Sequence, residues 1–196
     1  RSRVSRRPSA RAARKAEEGS VRRRPGRLTQ CSDRFEREAL ERGDVPIAGA
    51  DEVGRGALFG PVVAAAVVLG PEFEWEGLDD SKKLTAAKRE ELALRVRETA
   101  RAWALGEASP EEIDRLNIRM ATHLAIRRAV AGLSVEPRLV LVDGIDEPLV
   151  GVRQRAIVKG DSLSVSIAAA SIIAKVSRDA MIEEWDSRCP GFGLKN

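Results

Sequence analysis

The sequence predicts an α/β fold. Three observations carry that expectation: strand and helix signals alternate from about residue 44 onward, carboxylates stand at the ends of three of the strand candidates, and 196 residues at 43% apolar content suffice to bury a core. The first strand candidate, "VPIAGA", runs straight into Asp51. The second, "GPVVAAAVVL", is β-branched at both ends and should pair with the first across the "VGRGALF" turn. "DDSKKLTAAKREELALRVRETA" offers Thr85 as an N-cap and places Leu92, Val96 and Ala100 on one face, the pattern of an amphipathic helix. "RAWALGEA" reads as a third strand. "SPEEIDRLNIRMATHLAIRRAVAGL" reads as one helix, opened by Ser109-Pro110 and stopped at Gly132. "RLVLVDG" is a strand ending on Asp143, "QRAIVKGD" a short strand ending near Asp161, and "SLSVSIAAASIIAKVSRDAMIEEWDSR" a helix whose alanine-rich start permits close packing on the sheet.

Charge is unevenly distributed. Residues 1–30 hold 11 Lys+Arg against 2 Asp+Glu, net +9, which leaves −5 on the other 166 residues of a chain with net charge +4. With Val4, Val21 and Leu28 as its only large aliphatics, this segment cannot offset chain entropy by burial. Residues 1–34 are therefore expected to form a basic, disordered extension ahead of a domain over 35–196. Such an arm either contacts phosphates non-specifically or is a solvated extension with no specific role.

Cys31 and Cys189 are far apart and show no metal-ligand spacing, which fits a reducing compartment. The single histidine, His123, sits in a helical pattern and is assigned to packing or surface. The longest apolar run, "GPVVAAAVVLG", is too short to span a bilayer, so a soluble cytoplasmic protein with no membrane partner is expected.

The carboxylates carry the chemistry. Adjacent Asp51 and Glu52 could be no more than a charged strand end entering a loop. Asp143 and Asp161 also end strands, however, and in open α/β sheets functional groups gather at strand ends. Four convergent carboxylates repel unless protons or divalent cations relieve them. A ligand set of oxygens alone favours Mg²⁺ or Mn²⁺ over zinc.

Five ordered stretches, "AGADEVGRGALFGPVVAAAVVL", "LDDSKKLT", "IDRLNI", "LVLVDG" and "KGDSLSVSIAAASIIAKVSRD", together resemble the ribonuclease HII family, the bacterial type 2 ribonucleases H. The resemblance covers about residue 45 to the end of the chain. It implies a ribonuclease H-like fold, a mixed five-stranded sheet flanked by helices. It also implies metal-dependent endonucleolytic hydrolysis on the 5′ side of ribonucleotides in RNA–DNA hybrids or embedded in duplex DNA, leaving 3′-hydroxyl and 5′-phosphate ends. The family's acidic residues fall on Asp51, Glu52, Asp143 and Asp161, holding two ions, Mg²⁺ or Mn²⁺. Its Gly-Arg-Gly loop falls on Gly54, Arg55 and Gly56, whose backbone would reach the ribose 2′-hydroxyl, the group that separates RNA from DNA.

Ser81, Lys82, Lys83, Lys175 and Arg178 are candidates for phosphate contacts, or equally for solvated surface. Asn117 is either a polar contact or a satisfied structural amide. A monomer is expected. The family continues past a "PGFG"-like segment into a Lys-Gly-Tyr-Gly stretch, whereas this sequence contains no tyrosine and stops at "CPGFGLKN", so a truncated C-terminus is expected. Two other readings stay open: a ribonuclease H-like nuclease acting on long hybrids, and a non-catalytic nucleic-acid-binding module.

Overall fold

The computed structural model describes residues 31–194 except Asp80 and Asp146. The basic extension read from residues 1–30 lies outside the described residues. Five strands, β1 (Ile47–Val53), β2 (Val62–Val68), β3 (Ala102–Ala108), β4 (Leu139–Asp143) and β5 (Arg153–Ile157), form one sheet in the order β3-β2-β1-β4-β5. Strand β1 runs antiparallel to β2 and parallel to β4; β2–β3 is antiparallel and β4–β5 parallel. The sheet is therefore mixed, as expected. The helices are α1 (Arg34–Glu41), α2 (Ala86–Thr99), α3 (Pro110–Leu116), α4 (Ile118–Ala131) and α5 (Val165–Arg188).

Both faces of the sheet are covered, so β2 is buried along its whole length and reads as an unbroken apolar run. On one face Ala65 and Val67 meet Leu92 and Val96 of α2 and Ile172 and Ile173 of α5. On the other, Val62, Ala64 and Ala66 meet Ala121, Ala125, Ile126 and Ala129 of α4. Each fully buried valine, leucine or isoleucine among these contributes roughly 1.5–3 kcal/mol. Glycine sets the separation on both faces. A Cβ on Gly49 of β1 would lie 2.1 Å from the Ser166 carbonyl carbon of α5, and one on Gly106 of β3 would lie 2.2 Å from the Ala125 carbonyl oxygen of α4. Helix backbone thus rests directly on strand backbone at two points.

Three local features depart from the sequence reading. First, the fold begins earlier: Cys31 is buried, Ser32 bridges to Ser164, and α1 follows at once. An eight-residue helix is too short to be stable on its own, so its signal is weak in sequence. It is held by tertiary bonds, because Glu36 Oε1 accepts from Ser164 Oγ (2.6 Å), Ser166 N (3.0 Å) and Ser166 Oγ (2.7 Å). Those bonds satisfy the start of α5.

Second, the single helix expected over 109–132 is two. Asn117 adopts φ 69°, ψ 161°, ending α3 and capping α4 through its side chain, which accepts from Met120 N at 3.1 Å. It is a structural amide. Third, β5 stops at Ile157, and Asp161 sits in a 3₁₀ turn (Gly160–Ser162) that follows Lys159 in a left-handed conformation, φ 59°. Thr85 caps α2 as the sequence predicts, accepting from Lys88 N at 3.2 Å.

Two predictions follow from these caps. Asn117→Ala loses the cap and forces a Cβ-bearing residue without a local hydrogen bond into a region essentially reserved for glycine, so it should cost about 1–3 kcal/mol in urea denaturation. Asn117→Gly loses the cap but relieves the backbone and should cost less; equal losses would place the whole effect in the cap.

Glu112 completes the capping box of α3 with Ser109 and takes a two-pronged ion pair from Arg128, at 2.7 Å on each oxygen. Chiefly through Arg128, and then the Ser109 amide, its pKa is lowered from 4.5 to about 2. A carboxyl depressed on folding adds stability above its unfolded pKa and loses it as pH falls to the folded one. Glu112→Gln should therefore shrink the loss of stability between pH 4.5 and about 2, and melting curves across that window measure it.

Candidate active site

Alternation along β1 separates its two acids. Ala48 and Ala50 pack on the α4 face while Gly49 meets α5, so Asp51 faces α5 and Glu52 faces α4. Parallel pairing sets Ala50 opposite Val142, and one step on, Asp51 comes alongside Asp143 at the end of β4. The turn after β5 brings Asp161 to the same point. Carboxylate oxygens of Asp51, Asp143 and Asp161 all lie within 4.8 Å of one another. Asp51 and Asp161 are each only 6% exposed.

The backbone holds this group in place. Asp51 Oδ1 accepts from Glu52 N at 2.7 Å, and Asp143 Oδ1 accepts from Gly160 N at 2.6 Å. The second bond ties the Asp161 turn to β4. Burial first, then the charges of Glu52 and Asp143, push the Asp51 carboxyl well above the ordinary carboxylate range, against hydrogen bonds from Ser171 and the Glu52 amide. Burial also raises Glu52, against the pull of Arg55.

Glu52 is not in the three-carboxylate group. It lines a cavity on the α4 side of about 230 Å³ with Asp143, Gly144, Arg55, Arg119 and His123. Arg55 Nη1 donates to Glu52 Oε1 at 3.1 Å, so the arginine of the glycine-flanked turn folds back over the acid. His123, assigned to packing or surface from the sequence, lines this cavity, and Arg119 and Thr122 line it beside the histidine. The signal was the helical spacing of Arg119, Thr122 and His123, which a lone histidine did not reveal.

The basic candidates divide. Lys82 Nζ lies 3.9 Å from Asp161 Oδ2 with its side chain largely in solvent. Lys83 pairs with Asp79 at 3.0 Å, and Lys175 with Asp179 at 2.6 Å along α5. Ser81 is 4% exposed, and its hydroxyl lies 3.0 Å from the Ser171 hydroxyl, which in turn bonds to Asp51. Arg178 is likewise buried, bonded to the carbonyls of Phe59 and Pro61.

Three crowded carboxylates, two of them buried, with oxygen as the sole donor type, fit a hard divalent cation. A cation there would offset both the burial and the repulsion that raise Asp51.

This sheet order, with clustered acids at the ends of β1 and β4, defines a ribonuclease H-like protein. Residues 48–195 match the family described as ribonuclease HII. The chain belongs to the ribonuclease HII family. It is 56% identical over 162 residues to ribonuclease HII of Myxococcus xanthus (strain DK1622), a match covering 82% of this chain and 55% of that relative. The chain thus spans little more than half the length of that curated relative. Among solved structures, ribonuclease H2 from Pyrococcus horikoshii OT3 aligns at TM-score 0.67 and 29% identity, over 75% of this chain and 78% of the other. Bst ribonuclease HIII, solved in complex with Mn²⁺, aligns at TM-score 0.64 and 25% identity, over 76% of this chain and 57% of the other.

Mn²⁺ or Mg²⁺ should raise the melting temperature, since an ion at a hundred times its dissociation constant stabilises by about 2.7 kcal/mol. Asp161→Asn should remove most of that shift, while Asp51→Asn should raise the melting temperature of the metal-free chain by removing a crowded buried charge. An undiminished shift in Asp161→Asn would take that carboxylate out of the site.

Proposed function

We propose that this chain is an endoribonuclease that hydrolyses the phosphodiester on the 5′ side of a ribonucleotide, in RNA–DNA hybrids or embedded in duplex DNA. The observation that carries this reading is the grouping of Asp51, Asp143 and Asp161 at the end of the sheet from which the Gly54–Gly56 turn departs. Family membership and the Mn²⁺ complex of the ribonuclease HIII relative support it. The three aspartates, with Glu52 from the α4 side, would hold two ions, Mg²⁺ or Mn²⁺. When bound, such ions activate water and stabilise the leaving oxygen.

The remaining work falls to the chain. Asp51 and Asp143 are fixed by backbone donors, so their oxygens need little reorganisation. The backbone of Gly54, Arg55 and Gly56 approaches the sugar carrying the 2′-hydroxyl. A Cβ on Gly56 would meet no heavy atom within 4 Å, so that face of the turn is open to a ligand. Lys82, beside Asp161 and solvent-facing, would meet a backbone phosphate, and Lys175, paired on α5, is a second candidate. In the reaction a water oxygen bonds to phosphorus as the bond to the preceding 3′-oxygen breaks. The ends are then a 3′-hydroxyl and a 5′-phosphate on the ribonucleotide. No described helix is long and apolar enough to cross a membrane.

The test compares duplexes carrying one ribonucleotide, a long RNA run, or DNA alone, with product ends mapped. Asp143→Asn should lower cleavage by about three orders of magnitude, as loss of several kcal/mol of transition-state stabilisation requires, while binding stays within about tenfold. Gly56→Ala, which clashes with nothing in the protein, should lower preference for ribose over deoxyribose by about tenfold. Near-native turnover in Asp143→Asn would overturn the assignment of the acids, and unchanged preference in Gly56→Ala would make the turn purely structural.

A further inference from the structure

The segment joining β1 to β2 carries the glycine-flanked arginine, yet nothing in its own sequence fixes its height above the carboxylates. Helix α5 does so from below. Arg178 is 8% exposed, its Nε donates to the Pro61 carbonyl at 3.1 Å and its Nη2 to the Phe59 carbonyl at 2.7 Å. Burial lowers the pKa of the guanidinium, but its planar fork reaches two backbone acceptors at once. A Cβ on Gly54 would come within 2.6 Å of Arg178 Nε and 2.7 Å of the Pro61 carbonyl oxygen, and one on Gly60 would lie 3.7 Å from Nη2. The side chain therefore passes directly beneath the first glycine of the turn and holds its far end.

We propose that Arg178 is a positioning residue for substrate choice: it sets the backbone of Gly54, Arg55 and Gly56 at the height from which they read the sugar. This deepens the functional reading above and rests on it for the identity of what the turn reads. Arg178 is buried, and its Nε and Nη2 are directed at the Pro61 and Phe59 carbonyls, so it acts on the turn rather than as an exposed phosphate contact. The same geometry explains why Gly54, φ +104°, must be glycine on grounds unrelated to substrate, whereas Gly56 is unconstrained by the protein.

The experiment uses Arg178→Met, which removes both bonds, and Arg178→Lys, which keeps the charge and can restore one. Preference for a single embedded ribonucleotide over DNA should fall about tenfold or more in Arg178→Met, expressed mainly in kcat, and recover in part in Arg178→Lys. The logarithmic salt slope of duplex binding should not change, whereas loss of a direct phosphate contact would reduce it by about 0.9.

Independently of activity, amide exchange should quicken at Ala57, whose N–H bonds to Gly54 O at 3.1 Å, while β1 and β2 stay protected. A reduced salt slope, or unaltered preference in a variant whose Ala57 exchange has quickened, would overturn the proposal. So would unaltered Ala57 exchange. If the unsubstituted chain does not distinguish ribose from deoxyribose, the functional reading fails instead, and Ala57 exchange still decides whether Arg178 holds the turn.

Discussion

The architecture depends on one contact, the seating of α5 on β1 at Gly49. With no Cβ there, the Ser166 backbone lies where any side chain would begin. The helix then follows β1 closely enough that Ala168, Ala169 and Ala170 are fully buried. Everything proposed for the site is measured from this contact. Ser171 reaches Asp51 because α5 is this close, and five residues beyond the Ser166 contact is the right distance along the helix to meet a strand residue two positions past Gly49. Two turns further on, Arg178 reaches the segment between β1 and β2. At the other end, Glu36 of α1 fixes the start of the helix through two serines. A helix held at its beginning and pressed onto the sheet acts as the ruler for the groups beyond.

The acidic group is locally unfavourable by design of its position. Asp51 is buried beside other carboxylates, and its raised pKa records that cost. The surrounding chain offsets it with fixed donors: the Glu52 and Gly160 amides, and Ser171 backed by Ser81. Such groups are tolerable because β2, α2, α4 and α5 supply a dense apolar core on both sides of the sheet. Glu52 takes the opposite face with Arg55 as a partner, so the two adjacent acids of β1 are kept apart by the pleat rather than by sequence distance.

Residues close in sequence and governed by period were legible before any fold was known. The alternation of elements, the Thr85 cap, the pairing of β1 with β2 and the strand end at Asp143 follow from short-range sterics and apolar spacing. The motifs carrying the family resemblance lie along those same elements. Helix α1 was not legible, because its stability comes from Ser164 and Ser166, more than 120 residues away. The break at Asn117 was also missed, since an amide that caps one helix while ending another looks like any polar residue inside a helical pattern.

The sequence by itself determined which chemistry is available, namely four carboxylates, no cluster of softer ligands, and a glycine-flanked turn after the first acid. Tertiary structure decided how these groups divide. Three aspartates came together and Glu52 went to the α4 cavity with Arg119 and His123, because side-chain direction follows strand pleat and register. Ser81 and Arg178, which read as candidate substrate contacts, are buried with internal partners because helix α5 passes beneath the loops that carry or receive them. The polarity of a side chain is written in its formula. Whether that polarity meets solvent, a ligand or another part of the chain depends on what packs against it, and no local pattern encodes that.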